Sequence, residues 1–275
     1  MNDKRLMPAN GRVAAAYLRG RVEAETFVTG WQRVAHRPVV DLRAAPNGAR
    51  DRQILLGEIV TVYEDHNGWS FVQASHGYVG YVLTDALGPI AQAATHFVAT
   101  PATHAYAQET MKSEDLLALP FGSRLHVVAE RRSFFETDHG YVPKKHMRAL
   151  DRPFQDAATV AQMHFGVPYL WGGDSTRGID CSGLVHAALT ACGLDCPADS
   201  DQQQAALGHY IAGGAPMQRG DLVFWDGHVG MMVDDETMIH ANAHHMAVVY
   251  EPLARAILRI DAQGDGPVTA RKRVI

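Results

Sequence analysis

The chain has 275 residues, 47% of them hydrophobic and 20% charged, with a net charge of −5 and a pI near 6.3. That length predicts two or three domains, and the even composition excludes a fibrous repeat or a wholly disordered chain. The acidic balance offers no basic stripe for tracking phosphates, so nucleic acid is not a predicted partner. The N-terminal stretch MNDKRLMPANGRVAAAYLRGRVEAETFVTG interrupts its apolar residues with charges and shows no export signal. Nothing later approaches the roughly 18–20 apolar residues of a membrane span, so the reading is a cytoplasmic protein without a membrane partner. From Arg12 to about Trp31, Val13, Ala16, Tyr17, Ala24 and Phe27 recur at helix-like intervals ahead of Gly30, which predicts a helical lead-in over residues 1–35.

Between Pro38 and Leu87 the pattern changes to short β-rich runs, VVDLRAAP, ILLGEIVTVYED, WSFVQAS and GYVGYVL, separated by the turn formers Pro46-Asn47-Gly48 and His66-Asn67-Gly68. This is the pattern of a small β-barrel over residues 36–90. HFVAT, SRLHVVAE, RRSFFETD and GYVPKKHM form a second set over residues 91–150, in which Gly140-Tyr141-Val142 echoes Gly77-Tyr78-Val79. Asp151-Arg152-Pro153 then punctuates the chain, and residues 151–275 mix helix and strand patterns.

In that last segment a predicted helix over Phe154–Phe165 precedes PYLWGGDSTRGIDCSGLVHAALTACG. Gly172 to Gly178 read as loop, and Leu184, Val185, Ala188, Leu189 and Cys192 mark the buried face of a helix that Cys181 opens and Gly193 stops. A thiol at a helix N-terminus meets the positive end of the macrodipole, which favours the thiolate, and the same backbone amides suit an oxyanion. Read alone, Cys181 is equally well a small buried residue. The downstream stretch GDLVFWDGHVGMMVDDETMIHANAHHMAVVYEPL reads as successive antiparallel strands with turns at Asp226-Gly227 and Asp234–Glu236. His228 begins one strand and His240 lies in the next, so a hairpin brings their imidazoles together. His228 is then the base that takes the thiol proton and returns it to the leaving amine, and His240 orients it. The odd set Cys181, Cys192 and Cys196 suits a reducing compartment. His228, His240, His244, His245, Cys192 and Cys196 are ligand types, but without a CxxC pair or an HExxH helix no metal site and no cofactor is assigned.

YLWGG, GIDCSGLV, GDLVFW, DGHVGMMV and MIHANA resemble the NlpC/p60 cysteine peptidases of bacterial cell-wall metabolism, over roughly residues 155–255. GEIVTVYEDHNGWSFVQ, and less closely the second β-rich set, resemble bacterial SH3-like (SH3b) domains. The resemblance implies a multidomain fold, two small all-β SH3-like barrels followed by an α+β papain-like NlpC/p60 domain. It also implies that Tyr169 points its hydroxyl at the oxyanion site, where the residues alone would make it an ordinary half-buried aromatic. The architecture is similar to that of enzymes recycling murein peptides, which cleave the γ-D-glutamyl–diaminopimelate bond, so a murein-derived peptide is the expected substrate. In that subgroup an acidic residue and a tyrosine of the first SH3b domain help the Asp beside the nucleophile hold the free L-alanine amine. Asp180 and Ser182 match at the nucleophile, and Glu58 and Tyr78 are the barrel's candidates, with Tyr81 competing. Ser200 stands where the family places a substrate-contacting polar residue, or is simply the N-cap of a helix over Gln202–Leu207. Whether the third substrate residue is diaminopimelate or lysine stays open. A non-catalytic wall-binding module and an acyltransferase are the competing readings.

Overall fold

The computed structural model describes residues 3–274. The chain divides into two compact units, Met1–Leu150 and Asp151–Ile275, at the Asp151-Arg152-Pro153 punctuation.

In the first unit, the lead-in is not the helix that its apolar spacing suggests. Val13–Ala15 and Thr26–Val28 pair as parallel strands around a single 3-10 turn, Ala16–Leu18. Val13, Ala14 and Ala15 are buried consecutively, a pattern that no single helix face delivers, and Val13, Ala15 and Leu18 pack on Tyr63 and Phe71. Gly30, at φ +79°, then turns the chain, and Trp31–Ala35 pairs with Ile59–His66. The first β-rich segment therefore starts at Trp31, inside what reads as lead-in. Its seven-stranded sheet runs, neighbour to neighbour, Arg50–Leu55, Val39–Arg43, Val79–Leu83, Trp69–Gln73, Ile59–His66, Trp31–Ala35 and Leu87–Gly88. The Asn67-Gly68 turn predicted from sequence connects two of these strands, with Asn67 at φ +50°.

The second β-rich segment forms a five-stranded sheet, Asp115–Pro120, Ala102–Tyr106, Gly140–Pro143, Phe134–Thr137 and Val127–Glu130, and a three-stranded one, Arg124–Leu125, His96–Val98 and Met147–Ala149. Leu56 of the first segment completes the core of the second beside Val98, Ala105, Leu119, Leu125 and Val142. The Arg124 amide donates to the Leu56 carbonyl at 2.8 Å, so Leu56 joins the two segments by side chain and backbone alike.

In the second unit, helices α1 (Ala157–Gln162), α2 (Cys181–Ala191) and α3 (Ser200–Ala206) precede strands β1 (His209–Tyr210), β2 (Leu222–Trp225), β3 (His228–Met232), β4 (Thr237–Asn242) and β5 (Ala247–Pro252). Helix α4 (Leu253–Gln263) and strand β6 (Ala270–Arg273), which the sequence reading did not anticipate, close the unit. The sheet is antiparallel in the order β1-β6-β2-β3-β4-β5. Met217, Val223, Trp225, Met232 and Met238 pack against Leu253, Ala256 and Ile260 of α4, while α2 packs against β3 and β4. Leu184, Val185, Ala188 and Leu189 are each at most 1% exposed, so α2 is a core helix held with its first turn next to the β2–β3 hairpin. Among the described residues no helix is long and apolar enough to cross a membrane.

Candidate active site

Asp180 is the N-cap that starts α2 at Cys181. Its Oδ1 accepts the Gly183 amide at 2.7 Å and the Ser182 hydroxyl at 3.1 Å, and its Oδ2 accepts the Gly172 amide at 2.9 Å. One carboxylate therefore caps the helix and ties it to the WGG loop. That loop lies so close that a Cβ on Gly183 would stand 2.4 Å from the Gly173 carbonyl oxygen, which explains the glycine after Cys181-Ser182 by contact rather than by turn geometry. Ser182 is buried with its hydroxyl on Asp180. Its carbonyl accepts Nε2 of Gln203 at 2.9 Å, joining α3 to the first turn of α2. Ser200 is also buried, but the N-cap of α3 is Asp199, because Asp199 and Gln202 form a reciprocal capping box.

Cys181 is 7% exposed, and its Sγ lies 3.9 Å from the carbonyl oxygen of Gly227, the residue before His228. The hairpin between β2 and β3 has the two-residue turn Asp226-Gly227, with Trp225 paired to His228 and Gly227 at φ +69°. On the next strand His240 is fully buried, and its Nδ1 stands 2.9 Å from His228 Nε2. The juxtaposition predicted for the two histidines is therefore present. Desolvation pushes the His228 imidazole down to about 3, assisted by His240 and Arg259 and opposed by Glu251. Desolvation also lowers His240, against Glu251. Both rings are neutral near pH 7, the state a base must start from.

The relay continues beyond the residues that sequence reasoning selected. His240 Nε2 lies 3.0 Å from Glu251 Oε2 and 3.0 Å from Asn242 Nδ2. Glu251 is gripped by Arg259 of α4, whose Nε donates to Oε1 at 3.0 Å and Nη2 to Oε2 at 2.7 Å. Burial alone would raise the Glu251 carboxyl, but His240 and Arg259 outweigh it and hold it well below the usual carboxylate range.

Tyr169 is held by its amide, which donates to the Met246 carbonyl at 2.9 Å, and by a parallel bridge to Ile179. Its hydroxyl is raised well above its ordinary value by desolvation first and then by Cys181 and Asp180, so near neutral pH it stays protonated and able to donate. Glu58 and Tyr78 belong to the first unit. The Glu58 carboxylate accepts the Leu55 amide at 3.1 Å, and burial raises it against the pull of Arg124. Tyr78 is 6% exposed, with its ring 6.2 Å from that of His76, and Tyr81 packs on Phe71 at 5.1 Å. His244 and His245 lie exposed in the β4–β5 connection. Among the described residues, no group of three or more His, Cys, Asp and Glu side chains is placed to hold a metal ion.

Residues 166–259 match the NlpC/P60 family, and residues 42–87 match the bacterial dipeptidyl-peptidase SH3 domain. A gamma-D-glutamyl-L-lysine dipeptidyl-peptidase of Bacillus cereus is 25% identical over 237 residues, covering 74% of this chain and 70% of that protein. One of the same description from Bacillus subtilis is 27% identical, covering 69% and 71%. A crystal structure of an NlpC/P60 family protein from Bacillus cereus shares the fold at a TM-score of 0.74, with 21% identity over 89% of this chain and 99% of that one. A thiol at a capped helix start, a neutral histidine pair beside it and these matches make the second unit a cysteine-type peptidase domain of the NlpC/P60 family, on a chain that also carries a bacterial dipeptidyl-peptidase SH3 domain.

Proposed function

We propose that the chain hydrolyses the γ-D-glutamyl–diamino acid bond of free murein-derived peptides that begin with L-Ala, in the cytoplasm, as a step of cell-wall recycling. The observation that carries the reaction is the hydrogen-bonded His228–His240 pair next to the helix start at Cys181. The substrate follows from relatives described as gamma-D-glutamyl-L-lysine dipeptidyl-peptidases.

In this reading His228 takes the proton of the Cys181 thiol and the thiolate adds to the γ-carbonyl of D-glutamate. The oxyanion that forms meets the α2 N-terminus and the Tyr169 hydroxyl, the one a dipole end and the other a neutral donor. The tetrahedral adduct collapses with rupture of the C–N bond, and His228 returns its proton to the leaving amine of the diamino acid. Water, deprotonated by His228, then releases L-Ala-D-Glu from the thioester and regenerates the thiol. Asp180, with Ser182 on its carboxylate, supplies the recognition of the free ammonium, and the all-β first unit acts as a pair of SH3-like barrels ahead of a papain-like core.

The test is a pair of substrates, L-Ala-γ-D-Glu-diaminopimelate and its Nα-acetyl form, each also made with lysine in third place. Efficient cleavage of the free amine and at least about 100-fold slower cleavage of the acetylated peptide is the expected result, since a charge pair left unmatched in a desolvated site costs several kcal/mol. Equal rates on both would remove the amine-recognition claim.

A further inference from the structure

The geometry points to Glu251 as the positioning residue that decides which nitrogen of His228 is bare. This inference rests on the reading of Cys181 as nucleophile and His228 as base.

A neutral imidazole carries one N–H, so across the 2.9 Å contact between His228 Nε2 and His240 Nδ1 one nitrogen donates and the other accepts. The direction is decided at the far side of His240. There Nε2 has two neighbours at the same 3.0 Å, and they make opposite demands: the Glu251 carboxylate only accepts, and the Asn242 amide nitrogen only donates. Asn242 cannot turn its oxygen inward at no cost. Its Oδ1 accepts the His245 amide at 2.8 Å and stands 3.0 Å from His245 Nδ1.

If Glu251 prevails, the proton sits on His240 Nε2, His240 Nδ1 is bare, and His228 donates to it through Nε2. The bare nitrogen of His228 is then Nδ1, the one His240 does not engage, and it can accept the thiol proton: the S–H bond of Cys181 breaks, an N–H bond forms at Nδ1, and the Nε2 proton stays in place. If Asn242 prevails, every bond reverses. His240 donates through Nδ1 to His228 Nε2, the His228 proton resides on Nδ1, and no base faces outward from the pair. Two features give the contest to Glu251. Its bidentate Arg259 partner fixes both oxygens, and the pairing keeps it ionised. Its negative charge also stands next in line when His228 becomes imidazolium. The charged and titratable groups facing the pair are Glu251 from β5, Arg259 from α4, His245 from the β4–β5 connection and Cys181 from α2.

The experiment uses the full chain with Glu251→Gln, which keeps size and removes the charge. Expected are a kcat lower by about 100-fold with KM unchanged, the lower end of a general base's contribution, and a rise of about one unit or more in the pH at which iodoacetamide captures Cys181. Nitrogen-15 shifts of His228 should move from the Nε2–H to the Nδ1–H tautomer. Adding Asn242→Ala to Glu251→Gln removes the competing donor and should recover part of the alkylation rate. An E251Q chain with the wild-type kcat and alkylation profile overturns the proposal. So does one that loses activity while the alkylation profile and tautomer stay put, because that is a structural role. Should E251Q be unstable with Arg259 unpaired, E251Q/R259Q removes both charges: restored folding with the shifted profile supports the proposal, and restored folding with the wild-type profile overturns it. The underlying site reading fails separately, if Cys181→Ala still turns over or His228→Gln alkylates with the wild-type pH profile.

Discussion

Asp180 is predicted to hold the nucleophile's helix in place as well as to serve the substrate, and the two roles separate on substitution. Its carboxylate accepts the Gly183 amide, the Ser182 hydroxyl and the Gly172 amide at 2.7, 3.1 and 2.9 Å. Asp180→Ala removes an N-cap, about 0.5–2 kcal/mol, and strands a buried Gly172 N–H, about 1–3 kcal/mol, for a loss of about 1.5–5 kcal/mol. Asp180→Asn caps as well as aspartate does, but its amide nitrogen cannot accept from Gly172, so it should lose about 1–2 kcal/mol. All three cysteines lie in the second unit and Cys196 is 5% exposed, so the rate at which Cys196 is labelled in rising urea reports that unit alone. At a urea slope of about 2 kcal/mol per M, the midpoint should fall by about 0.8–2.5 M for Asp180→Ala and by about 1 M or less for Asp180→Asn. A shift below about 0.3 M in the alanine variant would refute the structural reasoning. The asparagine variant then isolates function: its KM should rise on the free-amine peptide more than on the acetylated one, and equal losses on both would assign the damage to the fold.

Cys181→Ala should abolish turnover while leaving the stability of the second unit within about 1 kcal/mol of wild type, since only a sulfur is removed at the packed helix start; retained turnover refutes the nucleophile. In the wild type, iodoacetamide at neutral pH should reach Cys181 well before Cys192, whose thiol is raised by burial and then by Asp156, and a mass-spectrometric count of modified thiols reads the order directly. His164 is 1% exposed, bonds the Val160 carbonyl through Nδ1 and is lowered by desolvation. Its folded value lies under the roughly 6.5 of the unfolded chain, so below pH 6.5 the unfolded state binds the extra proton and stability falls with pH, at about 1.4 kcal/mol per unit until the folded value is reached. His164→Gln should flatten the decline of the second unit's melting temperature between pH 6.5 and 5, leaving the part due to His228 and His240; an unchanged decline would show that His164 is not the source.

The strands of the peptidase unit were legible because their alternation is regular and their turns are marked by Asp226-Gly227 and Asp234–Glu236. The same clarity placed His228 and His240 on adjacent strands. Glu251 escaped because its proximity to His240 depends on the register of β4 against β5, in which His240 faces Val249 and Met238 faces Glu251, and a four-residue connection of unremarkable composition does not announce that register. Arg259 escaped with the helix that carries it. The lead-in misled for the opposite reason: an alanine-rich run imitates helical spacing, but Val13, Ala14 and Ala15 are buried in succession, with Val13 and Ala15 against Tyr63 and Phe71, as the alternation of an extended chain allows. Asp180 was singled out for its place beside the nucleophile, and its triple hydrogen bond to the helix start and the WGG loop needed the folded loop to become visible.

The β4–β5 connection leaves one residue in a conformation that side chains seldom adopt: Met246, at φ +52°, the same residue whose carbonyl holds the Tyr169 amide. The arrangement divides tolerance to change unequally along four residues. Exposed His244 has its Nδ1 2.9 Å from Nε2 of the surface residue Gln263, and that position should accept side-chain substitution. Position 246 is different, because its left-handed turn aims a backbone oxygen and not a side chain. A library randomised across this connection should therefore keep activity with asparagine or glycine at 246 and lose it with valine or isoleucine, which makes the loop an entry point for adjusting the backbone that carries Tyr169.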